Sequence, residues 1–244
     1  MKLTFVGTSH GVPSEDRHCS CTMIESGGAV YFVDAGAPMT EAILRAGKKV
    51  EDVRAVFTTH VHSDHTVGMI QLASLMNWYY AKASADFFVT VQDHIDATKN
   101  WIFTAGDGVI DENRIRFKVP KAGVVYEDEN IKVEYIPTAH TRLTCSYAIL
   151  ITEGDKRILF GGDFSQDLKR SDVPEIITEE LDGFVCEMAH FKMHDLAPYL
   201  EKCRAKKVFF NHVFPLSNYD DIENAKGNYP FEIICPHDSF VTEF

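Results

Sequence analysis

Apolar residues along the chain fall into short strand-length runs, and these alternate with longer stretches in which apolar positions recur at helical spacing. The short runs predict strands at 3–6, 21–25, 30–34, 54–59, 86–91, 115–119, 131–136, 145–151, 157–161, 183–186, 206–211 and 231–234. The longer stretches predict helices near 38–46, 66–82, 93–104, 172–180 and 194–205. Glu25-Ser26-Gly27-Gly28 and Glu153-Gly154-Asp155 carry the residues of tight turns and mark hairpins. No linker or low-complexity tract interrupts the alternation. Two mixed sheets packed face to face, with helices over both outer surfaces, accommodate this order. At 244 residues the chain suits one domain spanning 1–244 rather than two of ordinary size.

One segment breaks the pattern chemically. Directly after the apolar run Ala55-Val56-Phe57 comes Thr58-Thr59-His60-Val61-His62-Ser63-Asp64-His65, with three imidazoles and a carboxylate in six positions. A regular strand or helix could not turn all four toward one ion, so the segment is expected to be a loop leaving a strand end. His60 and His62 can then converge on one cation while Asp64 and His65 turn to a second. Imidazole with carboxylate suits zinc, or manganese, iron or nickel, and does not suit calcium or magnesium. A binuclear site needs further ligands, and other strand-like runs end in them. Ile131–Ile136 leads to His140, Arg157–Phe160 to Asp163 and Lys207–Asn211 to His212. Rigid strand ends hold side chains within the tolerance a metal demands.

His60-x-His62-x-Asp64-His65 followed by His140, Asp163 and His212 resembles the signature of the metallo-β-lactamase superfamily, with Asp34 in Phe32-Val33-Asp34-Ala35-Gly36 as its opening motif. The resemblance covers nearly the whole chain and implies an α/β fold, the four-layer αββα sandwich. It also implies that His60, His62 and His140 bind a first metal, that Asp64, His65 and His212 bind a second, and that Asp163 bridges them. Asp34 is then expected to orient the ligand segment without touching metal. Asp rather than Cys at the bridging position points to the phosphodiesterase and thioester-hydrolase branches. The opening Gly7-Thr8-Ser9-His10-Gly11-Val12-Pro13-Ser14, and the stretch from Cys186-Glu187-Met188-Ala189-His190 to His212, are similar to ribonuclease Z and related phosphodiesterases. By that likeness His190 protonates the leaving group, Glu187 orients it, and His194 is its competitor. His10 is expected at the cleft mouth.

The expected chemistry is hydrolysis by a hydroxide shared between two cations about 3.5–4 Å apart, with Asp64 both ligand and orienting acceptor. Ribonuclease Z grips tRNA with a long Gly- and Pro-rich arm between the third ligand motif and the bridging Asp. Here only 22 residues separate His140 from Asp163, so tRNA is not the expected partner. A net charge of −12 also argues against nucleic acid, while two cations would reverse the sign inside the cleft. A small anionic phosphodiester is expected instead, such as a cyclic phosphate or cyclic nucleotide. Trp78, Tyr79, Tyr80, Trp101 and Phe103 are candidates to line a pocket for its planar group, though helix core is the commoner use of such residues.

The rival readings are a thioester or lactone hydrolase of the same superfamily and a metal-binding sensor without turnover. Cys19 and Cys21, with His18, lack the third thiol that an additional zinc would need, and read as buried strand cysteines. Six scattered cysteines, no apolar leader at the amino terminus and no run of about 20 apolar residues lead to the expectation of a cytoplasmic protein with no membrane contact. Analogy with similar folds suggests a homodimer.

Overall fold

The computed structural model of the chain describes residues 1–170 and 172–244. The first half builds strands β1 (Lys2–Gly7), β2 (Cys21–Ser26), β3 (Ala29–Val33), β4 (Val53–Phe57), β5 (Ala85–Phe88) and β6 (Ile115–Lys118). The second half builds β7 (Gly123–Glu127), β8 (Lys132–Thr138), β9 (Ser146–Glu153), β10 (Lys156–Phe160), β11 (Leu181–Met188), β12 (Ala205–Val213) and β13 (Glu232–Ile234). A last strand, β14 (Phe240–Glu243), returns to the first sheet, giving the orders β14-β1-β2-β3-β4-β5-β6 and β13-β12-β11-β10-β9-β8-β7. Each sheet is half antiparallel and half parallel: β3 to β6 run parallel in one, β10 to β13 in the other. The parallel halves are the near-continuous apolar runs, because helices cover their outer faces and leave no solvent side.

Period-2 alternation shows in β1, where Leu3 and Phe5 point into the space between the sheets and Lys2 and Thr4 point away. With Tyr31, Phe57, Tyr135, Ile149 and Phe209 they form the central layer of the core. Outside the first sheet, Met23, Phe32, Val56 and Phe87 meet Met69, Leu72, Met76 and Ile95. These last four come from helices α2 (Ser63–Trp78) and α3 (Gln92–Ile102), beside the shorter α1 (Met39–Arg45). Outside the second sheet, Phe184 and Phe210 pack under Leu196, Leu200 and Ile222, carried by α4 (Met193–Leu200) and α5 (Asn218–Ala225). Burying each large side chain contributes about 1.5–3 kcal/mol, so these three layers supply most of the drive to fold. The sheets are also strapped together by polar contacts. Asp128, just after β7, accepts hydrogen bonds from Tyr31 of the first sheet (2.6 Å) and Tyr126 of the second (2.7 Å).

The twelve expected strands are all present, and β7, β14 and α5 are additions to them. The helix expected over 172–180 is reduced to one 3₁₀ turn, Glu175–Thr178. Pro174 opens that turn, and the β-branched run Ile176-Ile177-Thr178 resists helix beyond it before β11 begins at Leu181. A second difference matters more. The helix expected at 66–82 starts at Ser63, so Asp64 and His65 lie in its first turn and only His60 and His62 belong to the loop. The helix can start this early because Gly68 lies against the 35–37 turn: its N–H donates to the Ala35 carbonyl at 2.7 Å, and a Cβ there would stand 2.2 Å from the Ala37 carbonyl oxygen.

Candidate metal centre

Six strands deliver polar side chains to one edge of the sandwich. β3 ends in Asp34, β4 in the His60–His62 loop, β8 in His140, β10 in Asp163, β11 in Glu187 and His190, and β12 in His212. Asp34 and His212 both adopt the left-handed region, with φ of 57° and 56°. Neither is glycine, and such a backbone persists only where surrounding contacts fix it. At Asp34 those contacts are clear: one carboxylate oxygen accepts from the Thr59 N–H at 2.8 Å, and the other lies 2.8 Å from His65 Nδ1.

Two groups of ligand atoms result. In the first, His62 Nδ1 lies 3.0 Å from His60 Nε2 and 3.3 Å from His140 Nε2. In the second, Asp64 Oδ2 lies 3.2 Å from His212 Nε2 and 3.3 Å from His65 Nε2. Asp163 stands between them. Its Oδ2 is 3.7 Å from His140 Nε2, 3.9 Å from His60 Nε2 and 3.6 Å from His212 Nε2, and its Oδ1 is 3.5 Å from His65 Nε2. All seven side chains named from the sequence are thus within reach of one another, and each triad could hold one ion.

Two properties of the donor set fit a divalent cation. His65 Nε2 and Asp163 Oδ1 are buried with no hydrogen-bond partner among the described residues, which is costly unless something else satisfies them. Electrostatics agree. Burial, then neighbouring imidazoles, push His60 and His62 down, so both stay neutral and free to ligate. Burial would push His65 and His212 down too, but Asp34 and Asp163 hold His65 well above its ordinary value, and Asp163 and Asp64 raise His212. Burial would likewise raise Asp64 and Asp163, yet His212 and His65 keep both carboxyls ionised. This cluster therefore calls for positive charge, which protons or a pair of metal cations can provide. The residues fit.

The candidate ligand imidazoles are oriented from behind. His140 Nδ1 lies 2.9 Å from the Phe164 carbonyl and His60 Nδ1 lies 3.1 Å from Thr59 Oγ1. Buried Asp172 ties the loop before His140 to the loop after Asp163, accepting from the N–H groups of Ala139 (3.0 Å) and Ser165 (2.8 Å). Neither Thr59 nor Asp172 stands out in the sequence, since ligand-type residues behind a site have no spacing of their own. Glu187 accepts from the Phe164 N–H (2.9 Å), the Ala189 N–H (2.7 Å) and His190 Nδ1 (2.9 Å). Burial works against a proton on His190, but Glu187 and Asp163 outweigh it and lift the imidazolium to about 9.

His190 lines a cleft of about 240 Å³ with His10, His62, Asp64, Asp163, His212 and Phe214. His194, its competitor, is 81 % exposed and paired with Asp195, outside that cleft. Among the aromatic residues of the insert, Tyr80 is half-buried and packs against the core outside the first sheet, whereas Trp78, Tyr79, Trp101 and Phe103 are each more than half exposed, and none of the five lines the cleft beside His190. Trp78 ends α2 fourteen residues beyond Asp64, about 21 Å away along the helix. Cys19 and Cys21 are buried, and burial pushes both thiols up; among the described residues neither joins a convergent ligand group.

A family profile described as Anti-Pycsar protein Apyc1 matches residues 1–231. The chain belongs to that family. Beyond the Apyc1 family, it is 29 % identical to ribonuclease Z of Nitrosopumilus maritimus over 170 residues, 69 % of this chain and 54 % of that protein. It is 28 % identical to ribonuclease Z of Microcystis aeruginosa over 137 residues, 54 % of this chain and 42 % of that protein. The chain therefore spans about half the length of the curated relatives it matches. Among solved structures it is similar to the metallo-β-lactamase fold protein YhfI from Bacillus subtilis, with a TM-score of 0.78 and 19 % identity over 100 % of this chain and 99 % of that one. It is also similar to a diphosphatase of the PhnP family, with a TM-score of 0.69 and 19 % identity over 100 % and 97 % of the two chains. The expected αββα sandwich of the metallo-β-lactamase superfamily is the observed fold, with ribonuclease Z among its relatives. No helix among the described residues is long and apolar enough to cross a membrane.

Proposed function

We propose that residues 1–244 act as a binuclear metal-dependent hydrolase that cleaves a small phosphodiester, a cyclic phosphate or cyclic nucleotide. The observation that carries this reading is Asp163 reaching both triads, with its Oδ1 and the facing His65 Nε2 buried and unpartnered. His60, His62 and His140 would hold one cation and Asp64, His65 and His212 the other; zinc suits the donors best, with manganese, iron or nickel as substitutes. Bound cations supply a water acidified toward neutral pH and a Lewis acid for the phosphoryl oxygens.

The chain's own residues do the rest. Asp64, kept ionised, orients the attacking water through its carboxylate. His190 carries a proton at neutral pH and faces the same cleft, so it can pass that proton to the departing alkoxide. Glu187 keeps the imidazole in place by accepting from Nδ1, which leaves Nε2 for the leaving oxygen. This acid favours a phosphodiester over a thioester, whose thiolate leaves without one.

Topology supports a small substrate. Between His140 and Asp163 the chain contains only the loop 141–145, β9 and β10, with no extension that could grip a folded RNA. A charge of −12 over the whole chain opposes a polyanion in the same way, and a cytoplasmic location fits the free thiols. Zinc-loaded protein offered bis(p-nitrophenyl) phosphate, a 3′,5′-cyclic nucleotide, a thioester and a lactone should turn over the two phosphodiesters at least a hundredfold faster than the others. Preference for the thioester or lactone would overturn the assignment, and loss of all four would leave a sensor.

A further inference from the structure

The two strands that carry His190 and His212 fall out of step at the site. β11 and β12 pair Cys186 with Phe210 and then Met188 with Val213, so β12 has one residue more than β11 between these positions. His212 takes its left-handed φ of 56° inside that bulge. A bulge interrupts the ladder just where the two imidazoles have to be held, their ring centres 5.9 Å apart and their planes 19° from parallel. Glu187 does not bridge this gap. It lies on β11, as His190 does, and stays 4.0 Å from His212 Nδ1, beyond hydrogen-bonding distance.

Beyond the bulge the strands are joined by Asn218, the first residue of α5, which is 1 % exposed. Its Nδ2 donates to the Met188 carbonyl at 2.8 Å and to the Phe214 carbonyl at 2.7 Å. Met188 lies just before His190, and Phe214 just after His212. On the other side, Asn218 Oδ1 accepts from Lys192 Nζ at 2.8 Å. That ammonium settles which end of the amide faces the two carbonyls, because it can only donate. Both amide hydrogens and the oxygen are thus used, as a buried amide requires. The segment from Met188 to Lys192, with His190 at its middle, is fastened at both ends to one side chain.

We propose that Asn218 is the positioning residue for proton transfer: by tying the Met188–Lys192 segment to the end of β12 it sets where His190 stands against His212. The inference rests on the phosphodiesterase reading with His190 as the acid, and adds the residue that fixes the acid in place. Asn218 itself lies behind the cleft and touches no reacting atom. A displacement of about 1 Å at the acid is enough to cost about a hundredfold in rate.

The test uses zinc-loaded full-length protein. Asn218→Asp keeps the shape and the Lys192 partner but replaces both donors by an oxygen facing two carbonyls. For a diester with an alkoxide leaving group kcat should fall about a hundredfold, and for bis(p-nitrophenyl) phosphate only a few-fold, with the zinc content of the parent. Crystals of the variant should show the His190 ring moved by about 1 Å relative to His212. Lys192→Met frees the amide to turn while leaving its donors, and should give the same split between the two diesters at about tenfold. Lys192→Arg, which keeps a donor, should restore the rate. Should Asn218→Asp fail to fold, the two Lys192 variants carry the same comparison. Equal losses on both diesters, loss of zinc or an unchanged kcat would mean that the amide serves the fold or the candidate ligands alone, and would overturn the proposal. Failure of the phosphodiesterase reading looks different: the unsubstituted protein then cleaves neither diester, and the place of the His190 ring in the variant crystals decides whether the amide sets it.

Discussion

Asp34 and His65 meet at 2.8 Å, carboxylate Oδ2 to imidazole Nδ1, although one ends β3 and the other lies in the first turn of α2. That contact fixes which nitrogen of His65 faces the cluster: with the Nδ1 proton held by Asp34, Nε2 is left toward Asp64 and Asp163. Replacing Asp34 with Asn keeps the shape and removes the charge. The expected result is a loss of metal affinity of about 10- to 100-fold, read by competition with a chromophoric chelator. Unchanged affinity would show that Asp34 serves the backbone turn alone.

His190 is separable from the candidate ligands. The variant His190→Gln should retain the metal content of the parent while kcat for a diester with an alkoxide leaving group falls by about 10²–10⁴. With p-nitrophenolate, which departs without a proton, the loss should shrink to a few-fold. A full-rate His190→Gln enzyme on the alkoxide substrate would remove the acid from this account.

The strap between the sheets gives a prediction about stability. Burial tends to raise the Asp128 carboxyl, but hydrogen bonds from Tyr31, Tyr126 and the N–H groups of Ile131 and Asn130 lower it below its ordinary value. A depressed carboxylate contributes stability that is complete above its unfolded value of about 3.9 and is lost as the pH falls through the folded one. Asp128→Asn should therefore cost about 2 kcal/mol in urea unfolding at pH 7, and the gap from the parent should narrow toward pH 3. A gap that stays constant with pH would contradict this.

The exposed aromatic residues at the far end of α2 supply a control. Trp78→Ser with Tyr79→Ser should leave KM for a cyclic nucleotide within about twofold, because about 21 Å of helix separates them from Asp64. A large rise in KM would return the substrate to that end of the molecule.

What the sequence revealed depended on how local each signal was. The six-position cluster His60 to His65 and the strand ends before His140, Asp163 and His212 are contiguous, so the site could be assembled from them; the paired sheets followed from the same strands. Edge strands β7 and β14 are short and half-polar, which is how edges avoid further pairing, and their pattern resembles loop. The start of α2 was hidden because His62 and Ser63 look like loop, whereas the approach of Gly68 to the 35–37 turn is a tertiary contact. Asp172 and Thr59 act through partners distant in sequence or through backbone groups. The aromatic insert misled because composition carries no direction.

The central claim is a pair of cations shared through Asp163, and metal content tests it most directly. Protein expressed with zinc and freed of loosely held metal should give about two equivalents per chain by mass spectrometry, and Asp163→Ala should lose at least one of them together with turnover. An Asp163→Ala protein that keeps both equivalents, or a parent that carries none, would contradict the account.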